Sequence, residues 1–150
     1  MTIPLNRLVI VTTVLTLGHH VDHVIRGNHV GWPFIPQITP FTFSLLVYPA
    51  VAVGLYQTRR GRVGPLYWAV LWGAMTLLAA SVHLPLSERA ETMSHIVDPY
   101  ASPIAGWFAF VWLLVLVTMA LLTCITAAQE WRRGRRAGAL PVTANLHDAS

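Results

Sequence analysis

Hydrophobic residues in this chain gather into four long runs, parted by short stretches rich in arginine, glycine or proline. A helix rises 1.5 Å per residue, so about 20 apolar residues cross a bilayer. The runs predict spans over about 5–25, 41–57, 65–84 and 104–128. Pro4 suits the first turn of the first span, where its missing N–H has no helical partner to lose. After that span Gly27, Gly31, Pro33, Pro36 and Pro40 break any regular helix, and Trp32 and Phe34 suit an interfacial loop. Pro49 lies inside the second span and predicts a kink. Between spans three and four, SERAETMSHIVDPY can form a short interfacial helix with Ser87 as its N-cap and Pro99 as its end. The expected fold is an all-α integral membrane four-helix bundle over residues 1–136, with a disordered tail over 137–150. The first span is longer than a signal-peptide core and lacks an A-x-A-like cleavage site, so it is expected to be retained.

Polar positions inside the spans keep to particular faces. At about 100° per residue, His19, Asp22, His23 and Arg26 share one face of the first helix, with His20 at its flank. Thr12 and Thr16 continue that face inward, so it is read as the side turned toward the bundle, because polar groups facing lipid find no partners. On the third span His83 aligns with Ala69, Trp72, Thr76, Ala79 and Ala80, with Leu71, Leu77 and Leu78 opposite. Small residues and a threonine mark a helix–helix face. His19 lies about 21 Å and His83 about 27 Å along their spans, so the two reach similar depth.

Composition agrees with a membrane chain. Of 150 residues, 55% are hydrophobic and 11% charged, and the mean hydropathy is +0.56, too apolar for a soluble globule of this size. The formal charge of +4 comes with no lysine at all. That excludes a Schiff base to retinal or pyridoxal and a P-loop lysine. The arginines mostly flank the spans, so topology accounts for the charge without nucleic acid. Four spans put both termini on one side together with Arg7, Arg59, Arg60, Arg62, Arg132, Arg133, Arg135 and Arg136, leaving Arg26 and Arg89 on the other. The positive-inside rule makes the arginine-rich side cytoplasmic. The single Cys124 allows no intrachain disulfide, no CxxC zinc or iron–sulfur site and no covalent haem.

The histidines show the opposite bias. His19, His20, His23, His29, His83 and His95 all fall at the outer end of the bundle, with Asp22, Glu88, Glu91 and Asp98, while His147 lies in the tail. Histidine does not direct topology, so insertion gives no reason for this segregation, and ionisable groups within a span point to a functional site. His19 and His23, at i and i+4, form a helical pair suited to one ion, with His83 and His95 as further ligands. Asp22 can be a ligand, orient an imidazole or act as a base, or it can simply pair with Arg26 at i+4. Glu91 is a ligand or base on the same terms, if the outer loop folds over the site. The tryptophans at 32, 68, 72, 107, 112 and 131 are read as interfacial anchors or packing.

Two short strings carry resemblances. HHVDH resembles part of the HxHxDH ligand signature of metallo-β-lactamase hydrolases, with Gly18 where the first histidine stands. HHxxH is similar, in reverse, to the HxxHH boxes of membrane fatty-acid desaturases and hydroxylases, which carry several such boxes. Each covers a few residues, and no family follows from either.

Histidine and carboxylate without thiolate suit zinc, iron, copper or manganese. The first reading is therefore a transition-metal site near the extracytoplasmic face, where a Lewis-acid ion would generate hydroxide for hydrolysis or a redox ion would activate oxygen on a lipophilic substrate. The lack of a dedicated nucleophile favours the redox reading. A second is non-covalent haem b, held by His20 or His23 together with His83. A third is a metal-handling or accessory subunit of a membrane complex. The Ala50/Gly54 and Ala69/Gly73 spacings permit close helix association, within the chain or between copies. The expected partners are the lipid bilayer and another membrane chain, with no nucleic acid.

Overall fold

A computed structural model of the chain describes residues 4–27, 39–83 and 92–138. The described residues are helices and connecting turns, without a strand. In chain order they form α1 (Leu5–Arg26), α2 (Pro40–Ser44), α3 (Val47–Arg59), α4 (Pro65–His83), α5 (Met93–Val97) and α6 (Pro103–Gly138). Four stretches are long and apolar enough to cross a membrane: α1, α2 with α3 taken together, α4 and α6.

Local chemistry sets the ends. Pro4 precedes α1, and Gly27 closes it at φ 66°, its N–H reaching the carbonyls of His23 and Val24. Only glycine takes that left-handed conformation without steric cost, so α1 stops one turn after the histidines. Gly61, also at φ 66°, makes the tight turn that returns the chain from α3 to α4. The second span is interrupted at Leu45 and Leu46, four residues ahead of Pro49. A helical proline has no N–H for the carbonyl four residues back, so the break appears at that carbonyl's residue rather than at the proline. Tyr48 N–H instead meets the Leu45 carbonyl at 3.2 Å, three residues back. α6 has 36 residues, roughly 54 Å of helix against about 30 Å of hydrocarbon, and its last turns carry Arg132, Arg133, Arg135 and Arg136.

Packing is centred on α6, which lies against both α1 and α4. Thr12 and Thr123 join their hydroxyls at 2.9 Å in the α1–α6 contact, and Trp112 donates its indole N–H to the Leu15 carbonyl at 2.9 Å. A Cβ on Gly18 would sit 2.5 Å from the Trp112 ring, so the residue before the histidine pair must be glycine for that tryptophan to lie flat on α1. Both small-residue spacings serve this chain itself. Gly54 makes room for Tyr67 and Trp68, and Gly73 for the Cys124 sulfur. Tyr67 O–H donates to the Ala50 carbonyl at 2.6 Å, and the Cys124 thiol donates to the Ala69 carbonyl at 3.3 Å.

The core is apolar, but polar groups of the spans are buried with it and many large apolar side chains face outward. Thr12, Thr16, Thr123, His20 and His23 are buried, whereas Leu77 is 73% and Ile104 83% exposed, with Ile10, Val14, Leu17, Val70 and Phe108 likewise outward. An apolar exterior of this extent is compatible with a membrane protein. Two facial assignments shift. The buried stripe of α1 runs through Leu5, Val9, Thr12, Thr16, His20 and His23, so its centre passes His20 and leaves His19 beside it, half-buried. On α4, only Leu77 of the three leucines expected outward is exposed. Leu71 packs on the core, because α4 touches α6 on one side and α3 on another and so has two inward faces. Trp68 and Trp72 are core residues, each 1% exposed, rather than interfacial anchors.

Candidate metal centre

The C-terminal turns of α1 and α4, both packed on α6, bring the side chains of His19, His23 and His83 together. One ligand nitrogen from each lies within 4.8 Å of the others. His19 and His23 come from adjacent turns of one helix, and their Nε2 atoms are 3.2 Å apart. Zinc–imidazole bonds of 2.0–2.1 Å at tetrahedral angles place two ligand nitrogens about 3.3 Å apart, so this pair already has the spacing of two ligands to one ion. His83 closes the triangle, with ring centroids 5.3 Å from His19 and 6.1 Å from His23. The imidazoles of separate helices meet at one point.

His20 is adjacent in sequence and separate in role. Its Nε2 lies 2.7 Å from the Ser44 hydroxyl and its Nδ1 2.5 Å from the Tyr48 hydroxyl. Ser44 gives its own proton to the Phe41 carbonyl at 2.6 Å, so toward His20 it can only accept. His20 therefore carries its proton on Nε2 and accepts the Tyr48 O–H on Nδ1. Both ring nitrogens are thereby satisfied inside the bundle, and they tie α1 to the helix break of the second span. An axial bond from His20 to haem would displace one of these hydroxyls. His19 meets both His23 and His83 edge to face, and the three imidazoles could hold a metal ion.

Asp22 points away from the imidazoles. It pairs with Arg26, Nη2 to Oδ2 at 2.8 Å and Nε to Oδ2 at 2.9 Å, and its other oxygen accepts the Tyr100 hydroxyl. Arg26 donates in turn to the His95 carbonyl at 3.3 Å. This network straps α5 and the turn after it to the end of α1. Burial first, and the Asp22 carboxylate second, push the Tyr100 phenol up to about 12. Within the stretch read as a loop helix, α5 covers only Met93–Val97, with Thr92 as its N-cap. Its proposed cap Ser87, with Glu88 and the candidate base Glu91, lies outside the described residues, as do His29, Trp32 and His147. His95 is exposed, and its Nδ1 accepts the Thr92 N–H at 3.3 Å. It is not one of the three converging histidines, although it lines the cavity beside them.

That cavity has a volume of about 710 Å³. His19, His20, His23, His83 and Ser44 line it together with Phe41, whose ring packs on His20 and His23; farther along α4 and α6 the wall is Trp72, Met75, Leu78, Leu116, Val117 and Ala120. The imidazoles thus stand at the polar end of an otherwise apolar chamber between α1, α2, α4 and α6.

Tyr48, Ser44 and Tyr100 escape the sequence reading. Ser44 and Tyr48 stand at i and i+4 in an apolar span, the same spacing that drew attention to His19 and His23, and that spacing is the signal by which they could have been found. For Tyr100 the sequence holds no comparable signal. No protein-family model, curated protein or solved structure matches this chain, so its chemistry is to be inferred from these residues alone.

Proposed function

We propose that the chain is an integral membrane metalloprotein in which His19, His23 and His83 hold one transition-metal ion, and that the ion performs oxidative chemistry on a lipophilic substrate. The observation that carries this reading is the convergence of three imidazole nitrogens from two helices within 4.8 Å, at the end of a largely apolar cavity. Three protein ligands leave a coordination position open, as in sites that bind and activate a small molecule, whereas structural sites close all four. Imidazole ligands suit zinc, copper, iron and nickel. The redox metals fit best, because among the described residues no carboxylate joins the three converging imidazoles as a base, and the Ser44 hydroxyl beside His20 gives its proton to the Phe41 carbonyl. The arginines of the α3–α4 turn and of the end of α6 support an orientation with that end cytoplasmic and the histidine end on the far side. The bilayer is its proposed partner.

Elemental analysis of detergent-purified protein tests the reading. The wild type is expected to carry close to one equivalent of a single transition metal, and His19→Ala/His23→Ala to carry almost none while eluting at the same volume. Equal metal in both would refute the site, and a Soret band in the wild type would replace the ion with haem.

A further inference from the structure

The cavity beside the three histidines says more about the substrate than that it is lipophilic. Along α4 its wall extends from His83 to Trp72, eleven residues or roughly 16 Å of helix. One leaflet of a bilayer has a hydrocarbon depth of about 15 Å, half of the 30 Å core. The polar lining is concentrated where a leaflet would meet its headgroups, at the imidazoles and Ser44. Farther in, Trp72, Met75 and Leu78 of α4 face Leu116, Val117 and Ala120 of α6. The chamber therefore repeats, inside the protein, the polarity profile of one leaflet.

Size narrows the occupant. Taking on the order of 30 Å³ per heavy atom, a water molecule's share of liquid volume, 710 Å³ corresponds to roughly 24 heavy atoms. That number suits one hydrocarbon chain with a small head and falls well short of a two-chain phospholipid. An oxygen-bearing head fits the polar end, since a transition ion held by imidazoles with an open position accepts an oxygen donor, and Ser44 and Thr39 line the same cavity. We infer that the cavity binds a single-chain amphiphile with an oxygen-bearing head, such as a long-chain fatty acid or alcohol. Its head lies at His19, His23 and His83 and its tail along α4 and α6 as far as Trp72. This assignment of substrate class rests on the metal reading for the head and on the cavity alone for the tail.

The two parts separate in experiment. Binding of a nitroxide-labelled C16 fatty acid to detergent-purified protein is followed by EPR, through immobilisation of the label, with metal content measured on the same samples. Ala120→Phe and Met75→Trp place rings in the tail region, the latter about two helical turns from His83. They are expected to weaken fatty-acid binding about tenfold or more, roughly 1.4 kcal/mol, with metal content unchanged. His19→Ala/His23→Ala is expected to lose the metal and part of the affinity. Wild type that immobilises no label, or immobilisation equally strong in both tail variants, overturns the inference even if the metal is present. Immobilisation blocked by the tail variants in protein that holds no metal would support the tail site and defeat the metal reading instead. Thermal melts of both variants keep a folding failure from passing as a blocked cavity.

Discussion

At the scale of single residues, the histidine end separates groups that converge on a ligand from groups that hold the protein together. Asp22 stands one position from His23, yet its two oxygens are taken by Arg26 and Tyr100. Its task is to fasten the α5–α6 turn to α1. Asp22→Asn is therefore expected to leave metal content intact while altering the Tyr100 phenol. Burial alone keeps that phenol above its usual 10, and the carboxylate adds the rest of the rise toward 12. Ultraviolet titration of the tyrosinate band should show the Tyr100 transition moving down in Asp22→Asn. The consequence for stability has a definite sign. A phenol whose folded-state pKa is raised retains its proton while the unfolded chain has lost it, so stability falls as pH climbs from about 10 to about 12. Wild type should lose stability across that window, and Asp22→Asn should lose less. A Tyr100 transition that stays in place, or metal lost from the variant, would show that Asp22 serves the ion after all.

At the scale of elements, what could be read from the sequence follows from how far each effect acts. The four spans were legible because apolar runs and proline or glycine punctuation are local, and the observed ends of α1 and α4 fall within a residue or two of those expected. The histidine pair on α1 and its counterpart on α4 were legible because a helix fixes both angle and depth. Pro49 predicted a kink in the second span, and the interruption falls at Leu45 and Leu46, because the proline offers no N–H to the carbonyl four residues back, which Tyr48 N–H meets instead. The separation of His20 from His19 was not legible. It depends on which neighbour reaches each imidazole, and the partners of His20 come from Ser44 and Tyr48, 24 and 28 residues away. α5 illustrates the same limit. It rests on the first turn of α6, where a Cβ on Gly106 would lie 2.4 Å from the Val97 carbonyl oxygen, a contact no periodicity reveals. Gly106→Val is expected to lift α5 from α6 and cost about 1–3 kcal/mol of local stability, as overpacking does. Hydrogen exchange should quicken over residues 93–97. Metal content should hold, since the three ligands belong to α1 and α4. Metal lost together with α5 protection would make His95 or its loop part of the coordination sphere.

For the molecule as a whole, the placement of the ligands on two helices has a thermodynamic consequence. α1 and α4 each pack chiefly against α6, and at the histidine end they face one another across the cavity. An ion held by His19 and His23 from one side and by His83 from the other is a cross-link between elements otherwise joined through a third. Binding that requires the assembled bundle stabilises it by RT ln(1 + [L]/Kd), about 2.7 kcal/mol when the ion is present at 100 times its Kd. Adding the metal found in the purified protein to stripped protein should therefore raise its melting temperature, and a chelator should reverse the rise. The decisive variant is His83→Ala. It leaves the helical pair on α1 able to bind weakly, but it removes the only one of the three ligands contributed by α4. If the ion cross-links the bundle, His83→Ala should abolish most of the metal-dependent rise, even at metal concentrations that saturate the remaining pair. A shift of the same size in His83→Ala and wild type would mean that the ion sits on α1 alone, and the convergence of the two helix ends would then have no part in binding it.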